Sequence, residues 1–143
     1  MSYSVAIDGP AGAGKSTIAK SIAKKLKFVY VDTGAMYRAM GLYFLQNKIG
    51  MEETDKIDKA CSNIVISIEY KEGEQQIYLN GENVTGFIRT EEVGKMASAC
   101  AVNRQVRLKL VDLQRELAGR TDVIMDGRDI GTYVLPDADV KIY

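Results

Sequence analysis

Histidine is absent from all 143 residues. That excludes Ser-His-Asp and Cys-His nucleophilic machinery and every histidine-ligated metal. Cysteine is scarce, and Cys61 and Cys100 stand far from any C-x-x-C spacing. They are expected to fill core positions as reduced thiols, in neither a disulfide nor a zinc site. Net charge is lacking too, because nineteen basic residues balance nineteen acidic ones. No global field recruits nucleic acid or an anionic membrane, so any basic site must be local. No run approaches the ~18 apolar residues of a membrane helix. The N-terminus has neither the basic region nor the apolar stretch of a secretory signal, and a cytoplasmic protein is expected. What remains is an ordinary globular balance, 46% apolar and 27% charged, with chain enough for one domain with a real core.

The most informative stretch follows a short apolar run. Val5, Ala6 and Ile7 read as a buried strand stopping at Asp8. Gly9-Pro10-Ala11-Gly12-Ala13-Gly14-Lys15-Ser16 then fits the G-x-x-x-x-G-K-[ST] pattern, with a strand before it and an amphipathic helix after. Glycines let successive N–H groups curl into one concavity, and the positive end of the helix faces the same hollow. Lys15 places a point charge among β- and γ-phosphates, Ser16 offers a hydroxyl to Mg²⁺, and Thr17 completes the nucleotide-binding segment. A glycine-rich turn capped by a serine is the plain alternative. A dinucleotide fingerprint is another, with Asp32 as its ribose acid. That fingerprint wants a small residue where Thr17 stands and has no use for Lys15. The phosphate loop is preferred.

Beyond it, Ile18, Ala19, Ile22, Ala23 and Leu26 recur at helical spacing. Phe28–Val31 reads as a strand ending in a tight break at Asp32-Thr33-Gly34, followed by a helix over about 35–46. A short helix is expected over 54–63, capped by Thr54-Asp55. Ile64–Glu69, Gln76–Leu79 and Asn83-Val84 then suggest a small antiparallel sheet, with turns at Lys71–Glu74 and Asn80-Gly81. Thr90-Glu91-Glu92 starts a helix reaching about Cys100. A longer one is marked by Val106, Leu110, Leu113 and Leu117, with Gly119 just past its end. Asp122–Asp126 is another buried strand. Gly127–Thr132 is a flexible charged crossing, and Val140–Tyr143 one more parallel strand. Strand–helix alternation predicts an α/β fold, a parallel sheet covered by helices and interrupted by an antiparallel β insert. The expected division is a core of 1–62 with 100–143 and an insert of 63–99. A last strand without a covering helix suggests a fragment of a longer protein.

Phosphoryl transfer needs phosphates held in line and positive charge over the equatorial oxygens. Asp126 ends its strand where such folds keep a Walker-B-type acid. Arg38, Arg107 and Arg128 fall near proposed strand ends. Any one alone could be a solvated surface arginine, but glycines on both sides of Arg128-Asp129 let backbone approach a ligand. A GTPase-like switch is disfavoured, since no Asn-Lys-x-Asp motif or switch segment is present.

Four stretches carry a resemblance to the bacterial-type cytidylate kinases of the nucleoside monophosphate kinase family. They are Ile7–Ser16, Asp32-Thr33-Gly34-Ala35-Met36-Tyr37-Arg38, Ile88-Arg89-Thr90-Glu91-Glu92-Val93, and Asp126-Gly127-Arg128-Asp129-Ile130-Gly131-Thr132. The resemblance implies a P-loop NTPase fold of the nucleoside monophosphate kinase type, with a five-stranded parallel core. It implies transfer of the ATP γ-phosphoryl group, with Mg²⁺, to CMP or dCMP. By position, Lys15, Arg38, Arg128 and Asp126 match the catalytic set. Thr33, Tyr37, Ser98, Arg107 and Asp129 match residues around the acceptor nucleotide, and Arg38 and Arg128 those on its phosphate. The insert would extend the monophosphate side. A lid and a last strand and helix would lie beyond Tyr143, which predicts weak activity from these residues alone. Another small-acceptor kinase, for UMP or AMP, is the nearest rival. A monomer without nucleic-acid or membrane partners is expected.

Overall fold

A computed structural model describes residues 2–9, 15–71 and 74–142. The phosphate-loop residues Pro10, Ala11, Gly12, Ala13 and Gly14, and Glu72-Gly73 of the expected turn, lie outside the described residues. The chain divides into two compact units, 1–33 with 111–143, and 34–110. The expected insert of 63–99 falls wholly inside the second.

The first unit is a four-stranded parallel sheet. Its strands are β1 (Ser4–Asp8), β2 (Val29–Asp32), β6 (Val123–Gly127) and β7 (Val140–Ile142), in the order β2-β6-β1-β7. The strands β3 to β5 belong to the other unit. β1 runs from Ser4 opposite Val123 to Asp8 opposite Gly127, and β2 from Val29 opposite Val123 to Asp32 opposite Asp126. Helix α1 (Lys15–Leu26) covers one face. Its Ala19 and Ala23 pack with Val5, Ile7, Tyr30 and Ile124, and small side chains on the helix let it lie close to the strands. Ile18 and Leu26, expected on the apolar face, are instead about half exposed. The helix ends in a Schellman arrangement with Lys27 in the left-handed region (φ 59°), where glycine is usual, and Phe28 N–H donates to the Ala23 carbonyl.

The second unit holds α2 (Thr33–Gln46, from Gly34 on), α3 (Thr54–Asn63), α4 (Glu91–Ala101) and the start of α5 (Arg104–Arg120). It also holds an antiparallel sheet of β3 (Ile66–Lys71), β4 (Glu74–Leu79) and β5 (Glu82–Asn83). The Asn80-Gly81 turn is a two-residue hairpin with both residues at positive φ, 50° and 84°, as that pair prefers. Thr90 caps α4 by accepting from Val93 N–H. Three local expectations fail. No break separates β2 from α2, because the helix starts at Thr33. Thr54 is the first helical residue of α3, while Glu53, at the cap position, spends its carboxylate on Gly50 N–H and Lys56. Gly119 lies inside α5, which runs one residue further.

Two contacts fix how α2 and α4 lie together. A Cβ at Gly41 would sit 2.9 Å from the Ala97 amide nitrogen, and one at Gly94 would sit 3.2 Å from the Arg38 guanidinium. Backbone meets backbone at Gly41, so nothing there yields easily. We expect Gly41→Ala to destabilise the protein by about 1–3 kcal/mol, the range for overpacking, despite the gain in helix propensity. Urea unfolding measures it.

Cys61 and Cys100 are free and buried in this unit, as expected from their spacing. Burial, with Cys61 nearby, pushes the Cys100 thiol up to about 12, and burial raises Cys61 as well. A thiol whose pKa is raised by folding contributes stability below its unfolded value, near 9, and loses it as pH climbs toward about 12. The urea midpoint should therefore fall between pH 9 and 11, and a Cys100→Ala variant should show a shallower fall.

Candidate functional site

β1 and β6 are neighbours, yet the chain leaves their carboxyl ends in opposite directions. From β1 it passes through α1 to β2, on the far side of β6. From β6 it passes to β7, on the far side of β1. Such a switch point is where parallel α/β sheets open a crevice for ligands. Asp8 pairs with Gly127, so Gly9 and Arg128 follow from adjacent strand ends. Lys15 and Ser16 head α1, with Ser16 and Thr17 exposed.

Asp126 is almost wholly buried, and its Oδ2 accepts from the Tyr30 hydroxyl at 2.7 Å. Alternation along β6 puts Asp126 on the face of Ile124, the face that α1 covers. Lys20 of α1 stands over the Tyr30 ring, 5.7 Å from its centroid. The carboxylate is thus oriented by a phenol that is itself packed under the helix carrying Ser16. Sequence reading had no signal for Tyr30, which stands in an apolar run and reads as core. Thr33 is also buried. Its hydroxyl donates to the Asp126 carbonyl at 2.8 Å, tying the end of β2 to the end of β6. Gly127 is glycine for this reason, since a Cβ there would fall on the Thr33 hydroxyl.

The expected flexible crossing after β6 is an ordered turn. Arg128 and Asp129 are exposed at its start, and Asp129 takes a left-handed backbone (φ 58°). Ile130–Val134 then wind as one π-helical turn, with Val134 N–H donating to the Asp129 carbonyl and Leu135 N–H to Ile130. Asp8 Oδ1 accepts from Ile130 N–H at 2.7 Å and Oδ2 from Gly131 N–H at 2.9 Å. At the other end, Arg115 of α5 donates to the carbonyls of Val134 (2.8 Å) and Tyr133 (2.7 Å). Neither Asp8 nor Arg115 was singled out from sequence, because each acts on a turn distant in the chain.

The second unit holds the other expected residues. Arg38 on α2 is half-buried and donates from Nη1 to the Ile88 carbonyl at 2.9 Å, beside Gly94 of α4. A glycine at 94 leaves room for that guanidinium, and Ile88 belongs to the third family-like stretch. Ser98 is exposed one helical turn beyond Gly94 on α4. Tyr37 is half-buried on α2, and Arg107 is exposed on α5. The structure thus gathers Lys15, Ser16, Thr17, Asp126, Thr33, Arg128 and Asp129 in one unit and Tyr37, Arg38, Ser98 and Arg107 in the other. An open hollow of about 380 Å³, lined by Ser4, Arg115, Ala118, Val134, Pro136 and Asp137, contains none of them. Among the described residues no three His, Cys, Asp or Glu converge as a metal cage, and no helix is long and apolar enough to cross a membrane.

Tyr30→Phe tests the buried carboxylate directly. Loss of its hydroxyl should cost about 1–3 kcal/mol in urea unfolding, the range for depriving a buried group of a partner.

Comparison with known proteins follows these lines. Residues 5–143 match the family model described as "Cytidylate kinase". The chain is 53% identical over 139 residues to a protein named cytidylate kinase from Caldicellulosiruptor saccharolyticus, covering 97% of this chain and 62% of that one. It is 50% identical over 140 residues to proteins of the same name from Bacillus thuringiensis and Bacillus anthracis, covering 98% of this chain and 62% of each. The chain therefore spans about three-fifths of the length of the curated relatives it matches.

Proposed function

Since the chain belongs to the cytidylate kinase family, we propose that the protein transfers the γ-phosphoryl group of ATP to CMP and dCMP by direct in-line displacement. The observation that carries this reading is the pairing of Asp8 with Gly127. It starts the glycine-rich segment and the Arg128-Asp129 turn from adjacent strand ends at the switch point, one suited to a donor phosphate chain and the other to an acceptor.

In this reading Gly9, Pro10, Ala11, Gly12, Ala13, Gly14 and Thr17 cradle the ATP phosphates, and Lys15 supplies positive charge at the β- and γ-phosphates. Arg38 and Arg128 hold the acceptor phosphate, since a guanidinium fork matches phosphate oxygens bidentately and keeps its charge when desolvated. Thr33, Tyr37, Ser98, Arg107 and Asp129 surround the cytosine nucleotide. Cytosine offers an amino donor beside ring acceptors, which a carboxylate and an arginine can read together; a site built on such hydrogen bonds rejects other bases strongly. Segment 63–99 extends the monophosphate side.

The residues fit Mg²⁺. Ser16 and Asp126 are hard oxygen donors on the α1 side of the sheet, and Mg²⁺ is commonly held by one or two such groups with substrate phosphates and water. Bound there, the ion would neutralise charge developing on the phosphates. The Tyr30 hydroxyl holds the Asp126 carboxylate in one orientation. A monomeric, cytoplasmic enzyme completes the reading.

Initial rates of the full-length protein with CMP, dCMP, UMP and AMP test it. CMP and dCMP should exceed the others by at least tenfold, and a preference for UMP or AMP would overturn the acceptor assignment. Lys15→Ala should lower kcat by about a hundred- to a thousandfold, as loss of one preorganised charge does, with little change in CMP affinity.

A further inference from the structure

We propose that Asp8 is a positioning residue for the acceptor-side turn, which its side chain ties to the end of β1. The inference rests on the reading above, in which Arg128 and Asp129 meet the acceptor nucleotide.

The turn that presents those two residues is not one the chain would hold unaided. Asp129 has a left-handed backbone, which costs an L-residue of order 1 kcal/mol and persists only where the surroundings over-determine it. The residues after it wind as a single π-helical turn, a form rare outside functional sites. Two charged side chains hold that turn from outside. Both oxygens of Asp8 accept from consecutive N–H groups at its positive end, Ile130 and Gly131. Both arms of the Arg115 fork reach consecutive carbonyls at its negative end, Tyr133 and Val134. Charge signs at both ends complement the dipole of the turn. A carboxylate bound to two successive amides resists both sliding and rotation, which one bond could not do. Fit is close as well: a Cβ at Gly131 would come 3.3 Å from Asp8 Oδ2 and 3.2 Å from the Lys141 side chain. A side chain at 131 would require Asp8 and Lys141 to give by a few tenths of an ångström.

Asp8 is also the last residue of β1, bonded through the backbone to Gly9. One residue therefore ends the strand that launches the phosphate segment and, through its side chain, grips the turn that carries Arg128 and Asp129. Asp8 itself touches neither nucleotide in this account; it acts through the turn.

Calorimetric titration of the full-length protein with CMP, and separately with a non-hydrolysable ATP analogue, tests the proposal on four proteins: wild type, Asp8→Asn, Arg128→Ala and the double variant. Asp8→Asn keeps the size of the side chain but faces an amide donor toward an N–H. It should weaken CMP about tenfold and the ATP analogue less than twofold. In the Arg128→Ala background the same change should cost CMP binding much less, because the residue it positions is gone. An unchanged CMP affinity in Asp8→Asn, an equal penalty in both backgrounds, or a parallel loss for both ligands would each overturn the proposal. If Asp8→Asn does not fold, Arg115→Gln loosens the other end of the turn and carries the same expectations and the same refutations. Should Arg128→Ala alone leave CMP binding intact, the functional reading fails. The grip of Asp8 is then judged by amide exchange: Ile130 and Gly131 should exchange at least tenfold faster in Asp8→Asn, and unchanged exchange refutes the clamp.

Discussion

Parallel pairing of β1 with β6 is the constraint on which the first unit depends. It joins the start of the chain to a strand more than a hundred residues later, with Ser4 opposite Val123 and Asp8 opposite Gly127. Register in a sheet with both faces covered is strict, because a slip of one residue would turn Asp126 off the α1 face and Met125 onto it. With β2 aligned on its other side, β6 brings three contacts together. Tyr30 reaches Asp126 and Thr33 reaches the Asp126 carbonyl from the β2 side, and Asp8 comes level with the turn after β6 from the β1 side. Each gives a wholly or partly buried polar group a partner far along the chain.

The second unit is ordered by a different rule. Glycine and alanine let the backbones of α2 and α4 meet at Gly41 and Ala97, and Gly94 leaves the Arg38 guanidinium a berth. That arginine is half-buried and bonded to the Ile88 carbonyl, which sets its position.

Much of the fold was legible because its signals are local. Helical spacing in 18–26, the Asn80-Gly81 hairpin, the Thr90 cap and the apolar strand over 122–126 all depend on residues a few positions apart. The glycine-rich segment was legible for the same reason, although its central residues lie outside those the structure describes. Misreadings arose where a local signal yielded to its surroundings. Thr33-Gly34 looks like a break, yet α2 starts there because the Thr33 hydroxyl is taken up by Asp126. Gly119 looks like a helix end, yet α5 continues to Arg120. What could not be read at all was long-range pairing of ordinary residues. Nothing around Tyr30 announces a carboxylate from β6, and nothing around Arg115 announces the carbonyls of Tyr133 and Val134. The family-like stretches single out Arg38, Arg128 and Asp129, but not the bond that holds Arg38 or those that hold the turn after Asp129.

The wide separation of the β1 partners bears on how the molecule is made. A growing chain emerging from the ribosome releases β1 first, and the strand finds neither flanking neighbour until residues 123–127 and 140–142 have been synthesised. Residues 34–110, whose hairpin pairs strands close in sequence, face a far smaller loop-closure cost and have most of their partners in hand earlier. Assembly of the sheet is therefore the late event, and Val5, Ala6 and Ile7 are the apolar surface that must wait longest for cover.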